Sequence, residues 1–61
     1  MFYRGFIGSI EYSKKDECFH GMVLGITDLV TYEGANLDEL LISFKRAVDL
    51  YKKFGGDWMN G

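Results

Sequence analysis

The longest regular pattern of apolar and polar positions runs over residues 36–54. Leu37, Leu40, Leu41, Phe44, Ala47, Val48 and Tyr51 recur at spacings of three and four, which gathers them on one face of an α-helix. Asn36 precedes the run as an N-cap. Glu39 follows three residues later, so Asn36-Leu37-Asp38-Glu39 reads as a capping-box variant. Asp38 and Glu39 in the first turn and Lys52 and Lys53 in the last complement the helix dipole. Gly55-Gly56 marks the expected end, because glycine takes the left-handed C-cap conformation without strain.

Upstream of the helix the pattern alternates. Residues 2–12 are rich in aromatic and β-branched side chains and predict a strand. Phe2, Arg4, Phe6, Gly8, Ile10 and Tyr12 fall on one face; Tyr3, Gly5, Ile7, Ser9 and Glu11 fall on the other. Both faces carry large apolar groups. The strand is therefore expected to be covered twice, by the helix on one side and a second subunit on the other, and the pattern leaves open which face meets the helix. Ser13-Lys14-Lys15-Asp16-Glu17 is a polar turn, Cys18–Leu24 a returning strand, and Gly25-Ile26-Thr27-Asp28 a short connection. Residues 29–33 predict a third, shorter strand, and Gly34 turns the chain into the helix.

The expected fold class is α+β: a three-stranded antiparallel sheet (β-β-β-α) with one amphipathic helix on one face. Phe6, Ile10, Phe19 and Val23 supply the hairpin's share of the core. Residues 1–56 form a single domain and residues 57–61 a short tail.

Size changes how this pattern is read. A chain of 61 residues is one domain, and a domain so small buries only about 60% of its unfolded surface. Cys18 is the lone cysteine, so no disulfide framework helps, and no C-x-x-C or His/Cys cluster suggests a structural zinc. Yet 48% of the residues are hydrophobic and 16% aromatic. One sheet and one helix cannot hide both sheet faces, so a homodimer or higher oligomer is expected, with Phe2, Tyr3, Phe6 and Ile7 at its interface.

The net charge is −2 and the pI about 5.1, which disfavours a sequence-independent grip on nucleic acid and suits a basic partner. Lys14-Lys15 and Lys52-Lys53 are short pairs that read as solvated surface. No apolar run approaches the roughly 18 residues of a membrane span. The start, Met1-Phe2-Tyr3-Arg4, lacks the basic region and apolar core of a signal peptide. With a single free thiol, the expected setting is the cytoplasm.

Candidate chemistry is thin. His20 is the lone histidine, and Cys18 on the same strand face would lie about 7 Å away, too far for a direct proton relay. Glu11, Asp16, Glu17, Asp28 and Glu33 fall at strand ends or turns, while Asp38 and Asp49 belong to the helix. No set reads as the clustered carboxylates of two-metal catalysis. Gly21-x-x-x-Gly25 lacks the Lys-Ser/Thr of a phosphate loop and reads as relief of crowding in a twisted hairpin. Phe2, Phe6, Tyr12 and Trp58 could stack on bases, but without a basic groove they read as core or subunit contacts. No catalytic, cofactor-binding or metal-ligating residue is expected, and the chain does not read as an enzyme.

Tyr3-Arg4-Gly5-Phe6-Ile7-Gly8, then Asp16-Glu17-Cys18-Phe19-His20-Gly21-Met22-Val23, continue through Leu24-Gly25-Ile26-Thr27-Asp28-Leu29-Val30-Thr31-Tyr32-Glu33-Gly34. The acidic pair Asp38-Glu39 then opens a helix ending near Ala47-Val48-Asp49-Leu50-Tyr51. In this order, over residues 3–54, the chain resembles the HicB-like antitoxin family. The resemblance implies a partial ribonuclease-H fold and a role as the antitoxin of a type II toxin-antitoxin pair. The implied partner is a small basic HicA-like toxin that cleaves messenger RNA, with the antitoxin covering its active surface.

Two departures qualify the resemblance. Family members commonly carry a fourth strand after the helix, and little follows Gly56 here, so the first strand is expected to be an open edge. Many also carry a C-terminal DNA-binding module, so operator binding is not carried over. Asp16, Glu17, Asp28 and Glu33 are the expected partner-binding residues. The alternative functional expectations are a homo-oligomeric assembly domain without catalytic activity and a vestigial metal-dependent nuclease.

Overall fold

The structure, a computed structural model, describes residues 1–55. The tail at 57–61, with Trp58, lies outside the described residues, as does Gly56 of the expected helix stop. Five strands precede one helix: β1 (Phe2–Tyr3), β2 (Phe6–Gly8), β3 (Glu11–Ser13), β4 (Cys18–Leu24), β5 (Thr31–Gly34) and α1 (Leu37–Leu50). The architecture is α+β, with an antiparallel sheet and the helix across one face. The strand count is five, not three, because the single strand expected over residues 2–12 is divided twice.

The first division is a hairpin. Arg4 and Gly5 both take positive φ, 51° and 86°, as the tight two-residue turn that matches strand twist requires. Tyr3 then pairs with Phe6 and Phe2 with Ile7. The Gly8 N–H donates to the Met1 carbonyl at 2.7 Å, and the Met1 ammonium donates to the Gly8 carbonyl at 2.9 Å. The N-terminus thus covers the outer edge of β2, so the open edge expected of the first strand is found in β1 and β3 but not in β2. Among the described residues, the outer edges of β1, β3 and β5 carry no partner strand.

The second division lies at Ser9–Ile10. Register on β4 is kept across it: Ile7 and Gly8 face Leu24 and Val23, and Glu11, Tyr12 and Ser13 face His20, Phe19 and Cys18. The ladder bends because Ser9 turns its carbonyl toward the core. Its hydroxyl oxygen instead accepts from the Met22 N–H at 3.0 Å, and its own N–H donates to the Met22 carbonyl at 3.0 Å. The Ser9 carbonyl accepts from the Tyr32 hydroxyl at 2.8 Å. A Cβ at Gly21 would collide with that carbonyl, and one at Gly8 would collide with the Tyr32 hydroxyl. Two glycines and a bent strand therefore make a niche for one buried phenol.

This geometry settles which side chains face the helix. Tyr3, Phe6, Gly8, Tyr12, Phe19, Gly21, Val23 and Tyr32 do so, the hairpin turn having reversed the phase of β1 relative to β2. Val23, Tyr32, Leu40, Phe44 and Val48 form the buried centre, with Tyr3, Phe6, Phe19, Leu41 and Ala47 packed around it. Phe19 and Val23 join the core as expected. Ile10 does not: it sits at the strand break, half exposed.

The helix begins where the sequence places it. The Asn36 side chain accepts from the Glu39 N–H at 2.8 Å, and Glu39 reaches back to the Ala35 N–H at 3.3 Å. That is a capping box displaced by one residue at its return arm. Beyond Leu50 the coil widens into a π-helical turn, Tyr51–Gly55, which holds Lys52 and Lys53. No helix among the described residues is long and apolar enough to cross a membrane.

Candidate protein-binding face

With one sheet face against α1, the opposite face is left bare. It presents Phe2, Ile7, Glu11, Ser13, Cys18, His20, Met22, Leu24, Thr31 and Glu33 by strand alternation and pairing. The face has two halves. Phe2, Ile7 and Leu24 line up across β1, β2 and β4 and are 70%, 53% and 45% exposed, with Met22 beside them at 41%. At the other half, His20 stands between Glu11 of β3 and Glu33 of β5, each its direct cross-strand partner. His20 Nδ1 lies 4.0 Å from Glu11 Oε2.

From this row an open groove of about 690 Å³ passes Thr31 and continues over the β5 edge to Ser43, Arg46 and Leu50 of α1. None of the seven Lys and Arg side chains projects from the outer face of a strand. Lys14 and Lys15 are in the β3–β4 turn, and Lys45, Arg46, Lys52 and Lys53 belong to the helix and its π turn. Lys45 and Lys52 lie over the Tyr3 and Phe6 rings at 5.6 and 5.7 Å, on the helix side of the sheet. Arg4, at the β1–β2 turn, donates to Asp49 at 2.8 Å, and the Tyr3 hydroxyl donates to the same carboxylate at 3.1 Å. The Arg4 hydrogen bond, opposed by partial desolvation and helped by Tyr3, holds the Asp49 carboxyl below its ordinary value.

The expected partner-binding residues do not form one face. Asp16 and Glu17 are exposed in the β3–β4 turn, where the Asp16 N–H and the Ser13 hydroxyl brace each other. Asp28 is half-buried in the β4–β5 connection, beyond the opposite end of β4 and about 20 Å along the strand from that turn. It lies by Tyr51, whose phenol is raised by burial and then by the Asp28 carboxylate. Only Glu33 reaches the bare face, and its companion there is Glu11. The expected oligomer interface divides as well. Phe2 and Ile7 lie on the bare face, whereas Tyr3 packs on Phe44 and Phe6 on Tyr51, both edge to face.

Among the described residues, no three His, Cys, Asp or Glu side chains are placed to hold a metal ion. Cys18 is a free, half-buried thiol opposite Ser13. The arrangement offers apolar contact and anionic hydrogen-bond acceptors, the chemistry of a docking face. Compared with protein-family models, curated proteins and solved structures, the chain gives no match.

Proposed function

We propose that this chain is a protein-binding module of the HicB-like antitoxin type. It neutralises a small basic HicA-like toxin in the cytoplasm by covering the toxin's active surface, without chemistry of its own. The observation that carries this reading is the ordered run over residues 3–54, from Tyr3-Arg4-Gly5-Phe6 to the capped helix. A hairpin-built antiparallel sheet followed by one helix is compatible with the partial ribonuclease-H fold that the run implies. Net charge −2 and a bare sheet face without Lys or Arg also support a basic partner.

The test is co-expression with a toxin-type small basic ribonuclease from the same genome, scoring growth and co-purification. Growth rescue with a stable complex is the expected result; neither rescue nor complex would sink the reading. The exposed Phe2, Ile7 and Leu24 favour a second reading, a homo-oligomeric assembly domain. A monomer throughout the micromolar range in equilibrium sedimentation would remove that alternative.

A further inference from the structure

We infer that the bare sheet face is the docking surface for a basic protein segment. Apolar side chains of that segment seat on Ile7, Met22 and Leu24, and an Arg or Lys seats between Glu11 and Glu33. The inference deepens the binding-module reading and rests on it for the natural partner. Its physical basis is the segregation of the face into an apolar half and an anionic half, with no Lys or Arg on its strands.

Glu11 and Glu33 flank β4 from neighbouring strands, so their backbones are about 10 Å apart, a gap that one guanidinium or ammonium can bridge. Nucleic acid is a poor occupant, because Glu11 and Glu33 outnumber Arg46, the cation along the groove, and repel phosphate. A second copy satisfies one half only. A twofold axis through the acidic row opposes like charges, and one through the apolar half leaves both acidic rows unmatched. A basic segment satisfies both halves together.

His20 stands in this row, faced by Glu11 from β3 and Glu33 from β5, with Cys18 and Met22 as same-face neighbours on β4 and Arg46 of α1 along the groove.

The probe is a peptide amide of alternating Leu and Arg, about eight residues long, titrated into the full chain and followed through backbone amide shifts. Shifts should concentrate on β3, β4 and β5 around Glu11, His20, Met22 and Glu33. The Glu11→Gln/Glu33→Gln variant should bind about tenfold more weakly.

Shifts centred on the turn at 14–17 or on the helix, or unchanged affinity in the double variant, would overturn the proposal. So would a peptide-free dimer that dissociates on Ile7→Ser, which would assign the face to self-association. The two readings fail separately. Peptide docking without toxin rescue removes the antitoxin role and keeps the surface. Full toxin rescue by the Glu11→Gln/Glu33→Gln variant removes the surface and keeps the antitoxin role.

Discussion

Tyr32→Phe is the cleanest probe of how this sheet is held. The ring stays in place, packed on Phe44 at a centroid distance of 5.2 Å, and only one oxygen is lost. That oxygen donates to the Ser9 carbonyl at 2.8 Å and lies 3.3 Å from the Met22 carbonyl. The Met22 carbonyl keeps a partner in the Ser9 N–H, whereas the Ser9 carbonyl, turned inward, loses the one it has from the phenol. One buried acceptor left unpaired costs about 1–2 kcal/mol. A domain of this length has a total stability of only about 3–9 kcal/mol. The urea midpoint should fall by about 1 M with unchanged slope, and the thermal midpoint by about 6–12 °C.

An alkaline arm checks the same group. Burial raises the Tyr32 phenol. Its contribution to stability is therefore fully present below the unfolded tyrosine value, about 10, and is lost as pH rises through the folded one. Tyr32→Phe should lose less stability than wild type over that interval. A change in unfolding free energy below about 0.3 kcal/mol, or an identical alkaline loss in both proteins, would refute the account of the niche.

Two glycine substitutions separate crowding from backbone strain. Gly21→Ala drives a methyl into the Ser9 carbonyl and should cost about 2–4 kcal/mol in urea unfolding. Gly25→Ala, at φ +77° with nothing within 4 Å, should cost only the left-handed penalty of about 1 kcal/mol. Asn36→Ala should cost about 1 kcal/mol and expose the Glu39 amide to faster hydrogen exchange, since it removes that amide's acceptor. In a carboxyl-carbon NMR titration, Asp49 should titrate below the ordinary range, and Arg4→Gln should move its midpoint upward. Because the folded value is depressed, the Asp49 contribution is present above the unfolded carboxyl value and lost as pH falls through the folded one.

Local signals were legible and distant ones were not. Cys18–Leu24 has the bounds its alternation implies, and Asn36 caps the helix with the side chain its position predicts. The Arg4-Gly5 turn was hidden because it puts an arginine at positive φ, which non-glycine residues seldom adopt. Its neighbours also continue the aromatic pattern, so the turn carries no polar cluster to mark it. The Ser9 break was hidden for a different reason. Its cause is a phenol 23 residues away, and no window along the chain contains both partners. The same turn divides the residues expected at an oligomer interface, since reversing the phase of β1 sends Tyr3 inward and Phe2 outward.

The acidic row depends on two registers of unequal legibility. The polar turn at 14–17 ties Ser13 to Cys18, which already places Glu11 opposite His20. The connection from β4 to β5 is longer and fixes no register by turn geometry. A slip of one residue there would turn Tyr32 out and Glu33 in. A slip of two would restore the faces but carry Glu33 away from His20. What pins β5 is the Tyr32 hydroxyl, which fits only opposite Gly21 and beneath Gly8, where the bent Ser9 carbonyl receives it. The hydrogen bond that closes the core on one side of the sheet thereby sets the spacing of the two carboxylates on the other.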